Sequence, residues 1–122
     1  MADNKDYLTF SEEQGQIKIS EDVVAAIAGN TAAEIDGVIG LYTSYARDFA
    51  EMMGKRGVSK GVNVKFGEEG LELDVFIVTE YGFSIAEVGK TVQHSVKAAV
   101  ESTTGVNVAV VNVHVCGVTE KK

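Results

Sequence analysis

Ser84-Ile85-Ala86-Glu87-Val88-Gly89-Lys90-Thr91-Val92-Gln93-His94-Ser95-Val96-Lys97-Ala98-Ala99-Val100-Glu101-Ser102-Thr103-Thr104-Gly105 is the stretch on which the reading of the fold turns. Ser84 and Glu87 have the spacing of a capping box, in which hydroxyl and carboxylate satisfy each other's orphan backbone donors, so a helix is predicted to open here. Ile85, Val88, Val92, Val96, Ala99, Val100 and Thr103 recur on one helical face, and Glu87, Lys90, His94, Lys97 and Glu101 fall on the other. Gly105 supplies the residue that ends the helix in a left-handed conformation. Downstream, Val106 to Val118 reads as a strand, with Val106, Val108 and Val110 in one phase and Val111, Val113 and Val115 in the other. A bulge or bend near Val110 and Val111 accounts for the change of phase. Upstream, Val62, Val64 and Phe66, the turn Gly67-Glu68-Glu69-Gly70, and Leu71, Leu73, Val75 and Ile77 form a hairpin with a four-residue loop. Val75-Phe76-Ile77-Val78 is apolar in both phases, which puts that end of the hairpin in the middle of a sheet and under a helix.

The first half of the chain supplies a second long helix. Gln16-Ile17-Lys18-Ile19 alternates, Ser20 can cap a helix, and Glu21 and Asp22 complement its positive end, so a helix is predicted from Glu21. Val24, Ile27, Ala28, Thr31 and Ile35 follow the helical spacing and Gly37 can end it, giving a length of about 22 Å. Ala25, Ala26, Gly29, Ala32 and Ala33 form a small-residue side that a neighbouring helix or another subunit could approach closely, although alanine is also simply the best helix former. Val38-Ile39-Gly40-Leu41-Tyr42 reads as a strand, and Tyr45, Phe49, Met52 and Met53 fall at the spacing of a short amphipathic helix. The expected architecture is an α+β two-layer sandwich, with two long helices packed on a mixed, largely antiparallel sheet of four or five strands. Residues 1–14 read as a polar arm in which Tyr7, Leu8 and Phe10 could dock a short extended piece. Residues 15–118 read as the single domain and 119–122 as a tail.

Composition bounds the function. The 122 residues contain 18 Asp and Glu against 11 Lys and Arg, a net charge of −7, which repels phosphate backbones and anionic lipid at long range. Nucleic-acid binding and direct membrane insertion are disfavoured. Nothing at the start has the basic and apolar regions of a signal peptide, and the longest apolar run, Val23 to Ala28, is far short of a membrane span, so a soluble, cytoplasmic protein is expected. The lone Cys116 and the size of the chain require neither a disulfide framework nor a structural metal.

No catalytic or metal-binding set stands out. Cys116 and His114 are two apart on a strand, side by side on one face with no third group evident to orient the imidazole, so a structural thiol is expected rather than a catalytic dyad. His94 and His114 share no ligand spacing, and Glu12-Glu13 and Glu68-Glu69 lack the ladder of a calcium loop, so no metal or other cofactor is expected. Gly54-Lys55-Arg56-Gly57 matches the GXXG loop with which KH domains clamp RNA backbone, but Val58 through Phe66 reads as loop and strand rather than as the second helix such a loop requires. Two surfaces remain for protein contacts. One is the cationic spot of Lys55, Arg56 and Lys60 on an otherwise acidic chain; the other is the edge of the sheet near the last strand, unless that strand is central and covered.

The run Gly15-Gln16-Ile17-Lys18-Ile19-Ser20-Glu21-Asp22-Val23-Val24-Ala25-Ala26-Ile27-Ala28, then Glu34-Ile35-Asp36-Gly37-Val38, Lys60-Gly61-Val62-Asn63-Val64, Tyr81-Gly82-Phe83-Ser84-Ile85-Ala86-Glu87-Val88, Thr104-Gly105-Val106 and Val111-Asn112-Val113-His114-Val115, resembles the alkaline shock protein (Asp/Gls) family from Gly15 to Val118. The resemblance implies a cytoplasmic protein of Gram-positive and related bacteria, tied to cell-envelope or general stress such as alkaline shock. It implies no enzymatic activity. It implies instead a self-associating homo-oligomer, held in some members beneath the membrane by a small membrane-anchored partner. The expected function is therefore that of a non-enzymatic structural or scaffolding protein, acting by self-association and docking on a protein partner. An RNA-binding module built on the Gly54-to-Gly57 loop is the alternative.

Overall fold

The computed structural model describes residues 7–42 and 61–120. Its elements run β1 (Tyr7–Glu12), β2 (Gly15–Ser20), α1 (Glu21–Ala33), β3 (Val38–Leu41), β4 (Val62–Gly67), β5 (Gly70–Glu80), α2 (Ile85–Thr104) and β6 (Val108–Thr119). The α+β class is as expected, but the strands divide into a two-stranded sheet and a four-stranded one.

The hairpin β1–β2 forms the small sheet, in unbroken antiparallel register from Tyr7↔Ser20 to Glu12↔Gly15. Residues 7–12, which the sequence suggests are part of a loosely held arm, are thus a strand. Leu8 and Phe10 alternate with the exposed Thr9 and Ser11, and Leu8 and its cross-strand partner Ile19 pack on the main core.

In the larger sheet β5 is central. On one side it pairs antiparallel with β4, from Gly67↔Gly70 to Val62↔Val75, and beyond that with β3, from Leu41↔Ile77 to Val38↔Thr79. On the other side it pairs with β6 along its length, parallel, as the β5–α2–β6 crossover requires. The β4–β5 ladder closes down to Gly67↔Gly70, so the hairpin turns on Glu68 and Glu69 alone rather than on a four-residue loop. Two register shifts bend β6, one passing Ala109 and one passing Cys116. The first lies just before the bend expected near Val110 and Val111; the second is additional to it.

Both helices pack against this sheet and each other. Val88, Val92, Val96, Val100 and Thr104 form the buried stripe of α2, and Val24, Ala25, Ala28, Gly29 and Ala32 that of α1. Ala25, Gly29 and Ala32 of the small-residue side of α1 are therefore turned inward, where they let α2 approach, while Ala26 is half-buried and Ala33 exposed. Leu71, Leu73, Val75 and Ile77 of β5 complete the core. Ser84 caps α2 by accepting from the Glu87 N–H at 3.4 Å, one half of the expected capping box, and Gly105 closes it at φ 76° as predicted. By contrast, α1 stops at Ala33, short of Gly37. Glu34 and Ile35 donate to Thr31 and Ala32, a tightened last turn that leads the chain off the helix. Gly37 serves the entry to β3 at φ 96°, where a Cβ would stand 2.7 Å from Val88 and 3.0 Å from Phe83.

The expected short helix over Tyr45 to Met53 and the Gly54-to-Lys60 stretch lie outside the described residues.

Candidate interaction surfaces

Of the two surfaces expected from the sequence, Lys55, Arg56 and Lys60 lie outside the described residues, and so does the Gly54-Lys55-Arg56-Gly57 loop. The other is on the edge: among the described residues β6 pairs with β5 only, so its far side is the margin of the sheet they form.

The two halves of that margin differ. Along the first half α2 reaches over with Gln93, Lys97 and Glu101, spaced one helical turn apart. Glu101 Oε2 accepts from the Val108 N–H at 2.9 Å, Lys97 Nζ donates to the Val108 carbonyl at 3.0 Å, and Gln93 Nε2 donates to the Val111 carbonyl at 3.1 Å. Lys97 and Glu101 also pair at 3.7 Å. Lys97 and Glu101, which the helical pattern assigns to the solvated face, thus join Gln93 in satisfying an exposed strand edge. Helical periodicity identifies the face but not what lies beside it. Past Val111 no such bond is made to the outer edge among the described residues.

The sheet face away from the helices carries a polar cluster. Asp74, 7% exposed, accepts at Oδ1 from Asn112 Nδ2 at 3.2 Å and from His114 Nε2 at 3.0 Å, and at Oδ2 from Asn63 Nδ2 at 3.5 Å. The imidazole stacks on the buried Phe76 ring, with centroids 4.4 Å and planes 11° apart. Asn63 is fully buried, and its Oδ1 has no hydrogen-bond partner among the described residues.

This cluster corrects one expectation, because His114 does have an orienting carboxylate. The arrangement is nonetheless not a relay to Cys116. The thiol sits at the second bulge with Sγ 3.7 Å from the His114 carbonyl oxygen, and burial pushes its pKa up, away from the thiolate a nucleophile needs. Asp74, like Glu72, is an acid interleaved with the apolar residues of β5, but its partners could not be read from the sequence, since they come from β4 and β6.

A third feature lies where β3 begins and β5 and β6 end, tied by the Glu80 N–H to the Gly37 carbonyl at 2.8 Å and the Tyr81 N–H to the Thr119 carbonyl at 2.7 Å. A groove of about 810 Å³ opens there, with Ile35, Val38, Ile39 and Phe83 among its walls and Glu34, Asp36, Glu80 and Glu120 as its only charged lining residues among those described. Ile39 and Phe83 are 39% and 43% exposed, so the groove presents apolar side chains beside carboxylates.

A family model described as "cell envelope-related function", that of the alkaline shock protein 23 family, matches residues 9–120. The chain belongs to this family. The expected resemblance is therefore correct, and the match takes in most of β1 as well as the later elements. Among related proteins, Spy1614 of Streptococcus pyogenes is 39% identical over 87% of this chain and 89% of its own length. YloU of Bacillus subtilis is 38% identical over 85% of this chain and 88% of its own. A more distant relative in Streptococcus pyogenes, 26% identical over 89% of this chain and 62% of its own, bears the name stress response regulator gls24 homolog. No solved structure matches the chain. No helix among the described residues is long and apolar enough to cross a membrane, and no group of metal-ligating side chains occurs among them.

Proposed function

We propose that this protein is a non-enzymatic scaffold of the cell envelope and its stress response, working on the cytoplasmic side through self-association and through docking on a protein partner. The observation that carries the docking half is the groove between β3 and the ends of β5 and β6. Its apolar walls offer a seat for a hydrophobic anchor and its four carboxylates select a positively charged segment around that anchor. A small membrane-anchored protein has such a segment if its cytoplasmic flank is basic, as the positive-inside rule favours. Docking on it would hold an acidic chain near the membrane without lipid contacts.

The test is affinity capture of the tagged protein from detergent-solubilised, nuclease-treated cells of its host, run beside a Glu34→Lys/Asp36→Lys variant. A small membrane protein with a basic segment, recovered by the natural protein and lost by the variant, is the expected result. Equal recovery by both would rule out the groove as the docking site. Recovery of ribosomal proteins alone would favour an RNA-linked role.

A further inference from the structure

We infer that the second half of β6 is the contact by which two copies of this chain associate, pairing antiparallel about a two-fold axis at His114. The inference rests on the self-association reading above and names the surface and the register.

The backbone determines which groups are available. Residues two apart on a strand turn their N–H and C=O groups to the same side. Val111 turns its carbonyl outward to Gln93, so Val113 and Val115 also face the margin, and neither has an outward partner among the described residues. Exposed edges are ordinarily blunted by charges, proline, short length or a covering element. Here the strand runs from Val108 to Thr119 and α2 covers only its first part. From Ser102 to Thr119 there is no Asp, Glu, Lys, Arg or Pro, the longest stretch of the chain without a charged side chain of these types. In a chain of net charge −7 two copies repel on average, and a margin without charged side chains adds nothing to that repulsion.

The register is set by the same groups. Placing the axis at His114 sets Val113 of each copy opposite Val115 of the other, which uses the available outward donors and acceptors in about four hydrogen bonds. Placing it at Val113 would oppose Val115 to Val111, whose carbonyl Gln93 already holds. Placing it at Val115 would oppose Val113 to Gly117, beyond the bulge at Cys116. With the axis at His114 the two His114 residues form a non-hydrogen-bonded pair, whose Cα atoms stand about 4.5 Å apart. Val115, 37% exposed in the single chain, gains a Val113 neighbour across the seam. The contact is isologous, so it closes at a dimer.

Two measurements test this. Sedimentation velocity over a concentration series is expected to show a dimer for the natural protein. Val115→Pro removes an outward N–H at an edge position, where proline is tolerated, and should weaken the dimer at least about tenfold with far-ultraviolet circular dichroism unchanged. Separately, His114→Cys in a Cys116→Ser background should oxidise to a covalent dimer, since the expected Cα separation suits a disulfide, while Val110→Cys in the same background should not. Failure of the natural protein to assemble at any concentration would overturn both the inference and the self-association it rests on. Assembly that survives Val115→Pro, without the His114→Cys cross-link, would overturn the inference alone. If Val115→Pro fails to fold, the cross-link decides.

Discussion

Asp74 holds donors from two neighbouring strands at once: Asn63 of β4, and Asn112 and His114 of β6. A buried carboxylate is tolerable only when its acceptors are used, and here each oxygen has a donor. Replacing it by alanine would leave these donors facing an apolar gap, so Asp74→Ala should lower unfolding free energy by about 2–3 kcal/mol in urea denaturation. Val96 tests the other side of the sheet. It is fully buried on α2, and Val96→Asp would put an unpaired charge in the core, leaving no cooperative thermal transition at about 25 °C or above. Cys116 makes a prediction about reactivity. Because burial raises its pKa, less of it is thiolate at neutral pH than of an unhindered cysteine. Thiol labelling in the folded protein should be slower than in the urea-unfolded chain and should accelerate as pH rises through the thiol range. Labelling as fast folded as unfolded at neutral pH would contradict that environment.

At the scale of elements, α2 serves as core and edge guard together. Its valine stripe packs on the sheet while Gln93, Lys97 and Glu101 bond to the first half of β6. Gln93→Ala/Lys97→Ala should therefore cost little stability, since the lost bonds are partly exposed, yet should free the carbonyls of Val108 and Val111. Species larger than a dimer should then appear in sedimentation, and their absence would show that the guard is not needed. The same element separates what a sequence pattern can reveal from what it cannot. The start of α2 at Ser84, the Val88-to-Val100 stripe of its buried face and its end at Gly105 are legible because capping and periodicity are local properties, whereas Ile85 and Thr103 of the expected face are exposed and Thr104 is buried instead. The central place of β5 is legible for a similar reason, as Val75 to Val78 is apolar in both phases. The role of Lys97 and Glu101 is hidden because it depends on β6 returning beside the same helix. The strand β1 shows in the alternation of Leu8 and Phe10 with Thr9 and Ser11, but its pairing with β2 does not follow from that local pattern. The end of α1 is misleading because Gly37 looks like a cap but is required by the close approach of Phe83 and Val88.

At the scale of the whole molecule, the two proposed contacts differ in electrostatic sign, and salt separates them. Self-association at β6 joins surfaces without Asp, Glu, Lys or Arg on bodies of net charge −7, so long-range repulsion opposes it and added salt relieves that repulsion. Docking at the groove joins Glu34, Asp36, Glu80 and Glu120 to a cationic segment, so added salt screens an attraction. The screening length falls from about 10 Å at 0.1 M to about 3 Å at 1 M, a range over which both effects should be visible. Dimer formation, measured by sedimentation in sodium chloride, should strengthen with salt. Retention of the captured partner on immobilised protein should weaken over the same series. If self-association also weakened with salt, attraction between opposite charges would be holding the copies together. The contact would then have to include charged groups such as the carboxylates of the groove, and the uncharged seam about His114 could not be its main part.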